Sequence, residues 1–148
     1  MSNYIIAISS AGGHLFELMK SIPNNIEDRV VYITFKNNLT KETLLNKKHF
    51  FVIDPHISKI KYLINSLQSL FYFIKIRPKM IISTGAGIAI PMILFGNLFN
   101  SKIIFIETGA RTNSNSKTAE FIYKYCDLFI VQNKSQLNRF PNSKLGSL

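Results

Sequence analysis

Short runs of aliphatic, β-branched and aromatic residues recur along this chain, separated by longer segments in which apolar positions return with a helical period. The runs occupy residues 4–8, 29–35, 49–53, 80–83, 102–106 and 127–131. They are apolar nearly throughout rather than at every second position, which predicts strands covered on both faces, as in a parallel sheet. Parallel neighbours need crossovers, and the intervening segments supply helices. One begins at Leu15, and a short one is capped by Thr40 and carries Thr43, Leu44 and Leu45. Others span residues 56–77, 88–99 and 117–125. The expected fold is α/β: a Rossmann-like domain with a mostly parallel sheet in the strand order 3-2-1-4-5-6. With 148 residues and 47% hydrophobic content, one domain over residues 1–148 is expected. The remainder, with Pro141, Lys144, Leu145 and Gly146, reads as a loosely structured tail.

The long helix carries Ile60, Leu63, Ile64, Leu67, Phe71 and Ile74 at spacings of three and four, a stripe expected to face the core. Off that stripe lie Tyr62, Tyr72, Phe73 and Ile76, while Lys59, Lys61, Lys75 and Arg77 cluster near the two ends. No acidic residue occurs between Asp54 and Glu107, although six basic ones do: those four, Lys79 and Lys102. Two readings stay open at this point. The helix has a wide core face with incidental lysines, or it docks on anionic lipid through Lys59, Lys61, Tyr72, Phe73, Lys75 and Arg77. The apolar helix at 88–99 is about 12 residues long, too short for a bilayer core of about 30 Å, so it is buried or interfacial.

The formal charge of +10 and pI near 9.8 permit a nucleic acid, an anionic membrane or a phosphorylated substrate as partner. No recognised DNA or RNA motif accompanies the charge, so no nucleic acid is expected. The single cysteine, Cys126, excludes an internal disulfide, and no metal-binding cluster is visible. The sequence enters a strand at once, so neither a signal peptide nor an N-terminal anchor is expected, and the location expected is cytoplasmic.

Candidate chemistry gathers where strands end. Ser9-Ser10-Ala11-Gly12-Gly13-His14 follows the first run, Thr84-Gly85-Ala86-Gly87 the fourth, and a polar stretch from Glu107 through Arg111 to Ser116 the fifth. In the expected strand order these loops converge on the crevice at the topological switch point. The crevice offers backbone amides from Gly12-Gly13 and Gly85-Ala86-Gly87, the His14 imidazole, the Glu107 carboxylate and the Arg111 guanidinium. Such a set suits a phosphate-bearing sugar and the removal of a hydroxyl proton, with His14 and Glu107 as candidate bases. Plainer roles remain open: His14 as a solvated first-turn residue, Glu107 paired with Arg111, and Ser114 to Ser116 as helix caps. The first loop lacks the third glycine of a dinucleotide site, the second strand ends without a ribose-binding acid, and no phosphate-loop lysine follows.

The stretches Ser10-Ala11-Gly12-Gly13-His14, Ser83-Thr84-Gly85-Ala86-Gly87 with Pro91, and Ile104-Phe105-Ile106-Glu107 through Arg111 to Gln132 resemble PssD-type polysaccharide-biosynthesis proteins. These are similar to the acceptor-side subunit of the eukaryotic dolichol-linked N-acetylglucosaminyltransferase, and more distantly to the N-terminal half of MurG. The resemblance implies one half of a split GT-B glycosyltransferase, peripheral at the inner face of the cell membrane. It implies a PssE-type partner that holds most of the nucleotide sugar, and a polyprenyl-diphosphate-linked saccharide as acceptor. His14 and Glu107 would then be catalytic, and Ser10, Gly12, Gly13, Gly85, Gly87 and Arg111 would bind the acceptor. No cofactor is expected. The alternative function is a non-catalytic membrane adaptor that activates a separate glycosyltransferase.

Overall fold

A computed structural model describes residues 3–109 and 116–146. Its strands are β1 (Ile5–Ser9), β2 (Val30–Thr34), β3 (His49–Phe51), β4 (Met80–Gly85), β5 (Lys102–Ile106), β6 (Leu128–Val131) and β7 (Lys144–Leu145). They form one parallel sheet in the order β3-β2-β1-β4-β5-β6-β7. The helices are α1 (Gly13–Ser21), α2 (Asn38–Thr43), α3 (Lys59–Ile76), α4 (Ile90–Leu98), α5 (Lys117–Ile122) and α6 (Lys134–Leu137).

Successive strand residues point to opposite faces, and both faces are covered. Ile5, Ala7, Val30 and Ile82 pack with Leu15 and Leu18 of α1. Ile6, Ile8, Ile81 and Ile103 pack with Phe73 and Ile76 of α3, Met92 and Ile93 of α4, and Ile122 of α5. This two-sided burial explains the unbroken apolar runs.

The six expected strands follow the expected order, but the tail is not loose. Lys144 and Leu145 pair with Ile130 and Val131, and buried Phe140 packs against Tyr123 and Phe129 to anchor the segment. At α2 the cap is Asn37 rather than Thr40. The Asn37 carboxamide oxygen accepts from Thr40 N at 2.7 Å, and the Thr40 hydroxyl accepts from Asn37 N at 2.9 Å, a reciprocal capping box.

The main correction concerns α3, whose stripe faces outward. Ile60, Leu63 (62%), Leu67 (60%), Phe71 and Ile74 are each more than half exposed, and Ile64 is exposed as well. Facing inward are Asn65, Ser69, Phe73 and Ile76. That inward side meets the end of β3, which is only three residues long and leaves the backbone of Ile53 beyond the ladder. Asn65 Nδ2 donates to Ile53 O at 2.9 Å, and Ile53 N donates to Gln68 Oε1 at 2.7 Å. The inward side of the helix thus satisfies that backbone and also packs Phe73 and Ile76 into the core. Phe73, expected at a membrane, is buried and stacks on Phe99 with ring centroids 5.2 Å apart. Tyr72 is half-buried against Phe50, and Lys59, Lys61, Lys75 and Arg77 are exposed. Among the described residues no helix is long and apolar enough to cross a membrane.

Candidate functional site

Strands β1 and β4 lie side by side, and the helices that follow them pack on opposite faces of the sheet. Their carboxyl ends therefore splay into a crevice. A register shift after Ile8 sets Ser9 beside Gly85, which draws the two glycine loops together. Gly12 turns at φ 80° and Gly85 at φ 114°, and a Cβ on Gly85 would come within 3.3 Å of the Phe105 ring. Between Gly85 and Gly87, Ala86 sits at φ 69° and ψ 158°, a conformation that is essentially glycine's.

Such a backbone costs about 1–3 kcal/mol, against about 0.5–1 kcal/mol for the entropy of a new glycine. Ala86→Gly should therefore stabilise the fold by about 0.5–2 kcal/mol, whereas Gly12→Ala should lose about 1 kcal/mol or more. Urea unfolding of both variants checks this; a destabilised Ala86→Gly would mean that Ala86 carries no strain.

His14 stands at the start of α1, half-buried, with Nδ1 2.9 Å from Thr84 O. A carbonyl oxygen only accepts, so Nδ1 carries the proton and Nε2 of the neutral ring keeps its lone pair. The Thr84 hydroxyl in turn donates to His14 O at 2.7 Å. The two loops, 70 residues apart in sequence, are thus tied twice through one residue pair.

Glu107, just beyond β5, is only 2% exposed. The side-chain amide of Gln132 donates to Glu107 O at 3.1 Å, and that of Asn133 to Gly109 O at 3.3 Å, so the residues after β6 hold the residues after β5. The Thr108 hydroxyl donates to Glu17 Oε1 at 3.2 Å, and Glu17 Oε2 is buried with no hydrogen-bond partner among the described residues. Helix α1 is therefore joined to the β4 loop through His14 and to the β5 loop through Glu17. Thr84, Thr108 and Glu17 were not singled out in the sequence. A signal existed for Glu17, which lies three residues after His14 and so on the same side of α1.

Of the other expected site residues, Ser10 and Gly12 lie between β1 and α1, Gly13 opens α1, Gly85 ends β4 and Gly87 follows it. Arg111 lies outside the described residues. The capping expectation holds at Ser116, whose hydroxyl accepts from Ala119 N at 3.3 Å. The Cys126 thiol is pushed up to about 12 by burial and, secondarily, by the charge of Asp127, so it stays protonated near neutral pH and is no nucleophile.

The family described as "Oligosaccharide biosynthesis protein Alg14 like" matches residues 51–148, which include the β4 and β5 loops but not the first glycine loop. MurG from Acinetobacter baumannii is similar with a TM-score of 0.71 and 14% identity, over 98% of this chain and 44% of that one. A UDP-N-acetylglucosamine 2-epimerase from Rickettsia bellii is similar with a TM-score of 0.74 and 11% identity, over 95% of this chain and 42% of that one. The chain thus spans less than half the length of either structure and has the Rossmann-like fold of one half of a GT-B enzyme. Among the curated proteins nothing matches. Two differently named proteins share this fold, so the fold alone does not give the chemistry.

Proposed function

Because the chain belongs to the Alg14-like family of oligosaccharide biosynthesis proteins, we propose that it is the acceptor-binding, membrane-associating half of a two-component inverting glycosyltransferase. The donor is a nucleotide sugar held mainly by a PssE-type second chain. The acceptor is a polyprenyl-diphosphate-linked saccharide at the cytoplasmic face of the membrane. The observation that carries this reading is the tie between His14 and Thr84, which presents Nε2 as an oriented base beside two glycine turns.

In the mechanism, Nε2 takes the proton of the acceptor hydroxyl as its oxygen attacks the anomeric carbon from the face opposite the leaving group. The bond from that carbon to the nucleotide phosphate breaks, its electron pair leaves with the nucleoside diphosphate, and configuration inverts. Backbone amides at Gly12, Gly13 and Gly87, with the Ser10 hydroxyl and Arg111, suit the anionic and hydroxyl groups of the acceptor. Of the two candidate bases the geometry favours His14. His14 is taken over Glu107 because Glu107 is only 2% exposed and its backbone carbonyl accepts from Gln132.

Membrane association falls to the outward stripe of α3, flanked by Lys59, Lys61, Lys75 and Arg77. Basic groups near an anionic surface contribute about 1 kcal/mol each, and apolar insertion adds to that.

The test is an assay of nucleotide sugar and lipid-linked acceptor, with this chain alone, with the partner alone, and with both. Transfer is expected only with both, because one Rossmann-like domain supplies one wall of a two-domain cleft. Turnover by this chain alone would overturn the split-enzyme reading; full turnover by the partner alone would make this chain an adaptor.

A further inference from the structure

At the end of the sheet opposite the crevice, where β1, β4 and β5 begin, a groove of about 1020 Å³ opens between the C-terminal ends of α3 and α4. Arg29, Arg77, Lys79 and Lys102 line it, and no acidic residue does. Its walls are apolar, formed by Phe73, Ile74, Met80 and Phe99, with the Phe73 and Phe99 rings stacked. Among the described residues, Arg77, Lys79 and Lys102 form no ion pair, and Arg29 meets only Asp28 at 4.0 Å.

Cations gather at helix C-termini for a plain reason, the partial negative charge of the last carbonyls, and magnitudes decide whether that suffices. Each helix end amounts to about half an elementary charge, effective within its last turn. Backbone donors moreover cover the Phe73, Phe95 and Gly96 carbonyls, from Arg77, Phe99 and Ser101 respectively. Two helix ends and Asp28 therefore offset about two positive charges of the four. A surplus of about two remains, concentrated over an apolar floor.

We infer that this groove seats the phosphate of an anionic glycerophospholipid, with an acyl chain lying on the Phe73–Phe99 wall. Ile74 belongs both to the groove and to the exposed stripe of α3, so the two surfaces meet at that residue. Pockets for small ligands run to about 300–1,000 Å³, so there is room for a headgroup and several methylenes. The inference rests on the membrane reading only for the source of the lipid; the groove and its charge stand apart from the transfer chemistry.

The experiment titrates the whole chain with dihexanoyl-phosphatidylglycerol below its micelle concentration, followed calorimetrically, with dihexanoyl-phosphatidylcholine and inorganic phosphate as comparators. Saturable one-to-one binding is expected for the anionic lipid, about tenfold or more tighter than for either comparator, since it alone satisfies both cations and apolar wall. Lys79→Gln combined with Lys102→Gln should weaken it about tenfold or more. Both lysines are exposed, so the fold survives the change. Lys36→Gln with Lys41→Gln, exposed lysines outside both the groove and α3, should leave monomer binding unchanged. Absence of saturable binding by the unmodified protein, indifference to the Lys79 and Lys102 changes, or equal affinity for free phosphate would each overturn the inference. Flotation with anionic vesicles separates the two readings. Flotation without monomer binding sinks the groove and keeps the stripe, whereas monomer binding without flotation supports the groove and sinks the stripe.

Discussion

His14→Ala should lower sugar transfer by the assembled complex about 10²- to 10⁴-fold, the range of a general base, while leaving the fold and partner binding intact. The fold survives because the bond lost, from Nδ1 to Thr84 O, is a single side-chain bond whose net worth is about 0.5–1.5 kcal/mol. The second bond of the pair, from the Thr84 hydroxyl to His14 O, uses the backbone and persists in the variant. His14→Gln separates proton transfer from positioning. A glutamine amide can donate to Thr84 O as Nδ1 does, but it has no basic nitrogen, so this variant should be as inactive as alanine. Steady-state rates of the reconstituted complex decide the matter. Recovery with glutamine would reduce His14 to a tie between loops, and activity within about twofold for alanine would move the base elsewhere, being below any general-base contribution.

Leu63→Gln combined with Leu67→Gln should abolish the binding to anionic vesicles that survives high salt, yet change stability by no more than about 0.5 kcal/mol. Each leucine is about 60% exposed, so inserting it into lipid is worth about 1–2 kcal/mol of the 1.5–3 kcal/mol for full burial. Two of them contribute about 2–4 kcal/mol, or roughly 30- to 900-fold in affinity. Glutamine and leucine have similar helix propensity, so α3 itself is unaffected. The same pair of substitutions in a core would cost several kcal/mol, about 2–5 for each lost leucine side chain before any polar penalty. Vesicle flotation and urea unfolding of one double variant thus test both the membrane role of the stripe and its outward direction. A large loss of stability would return the stripe to the core.

Much of the fold was legible in the chain because it depends on local pattern. Apolar runs buried on both faces mark the strands of a parallel sheet, and the glycines Gly12-Gly13, Gly85 and Gly87 mark where strands turn into helices. With the crossovers, these determine the strand order and bring the loops of β1, β4 and β5 to one edge. What the sequence did not determine is which face of a helix meets the sheet. The spacing of Ile60 to Ile74 shows that α3 has an apolar side; its direction is seen only in the packed fold, where Phe73 and Ile76 meet the core and Asn65 and Gln68 meet the backbone of Ile53. Strand β7, two residues long, is too short to carry a period, and exists because Phe140 anchors it beside β6. The bonds from His14 to Thr84 and from Glu17 to Thr108 join residues 70 and 91 positions apart, so only the packed loops decide them. Arg29, Arg77, Lys79 and Lys102 form one groove for a similar reason: parallel strands begin at the same edge, and each delivers there the cation that precedes or opens it.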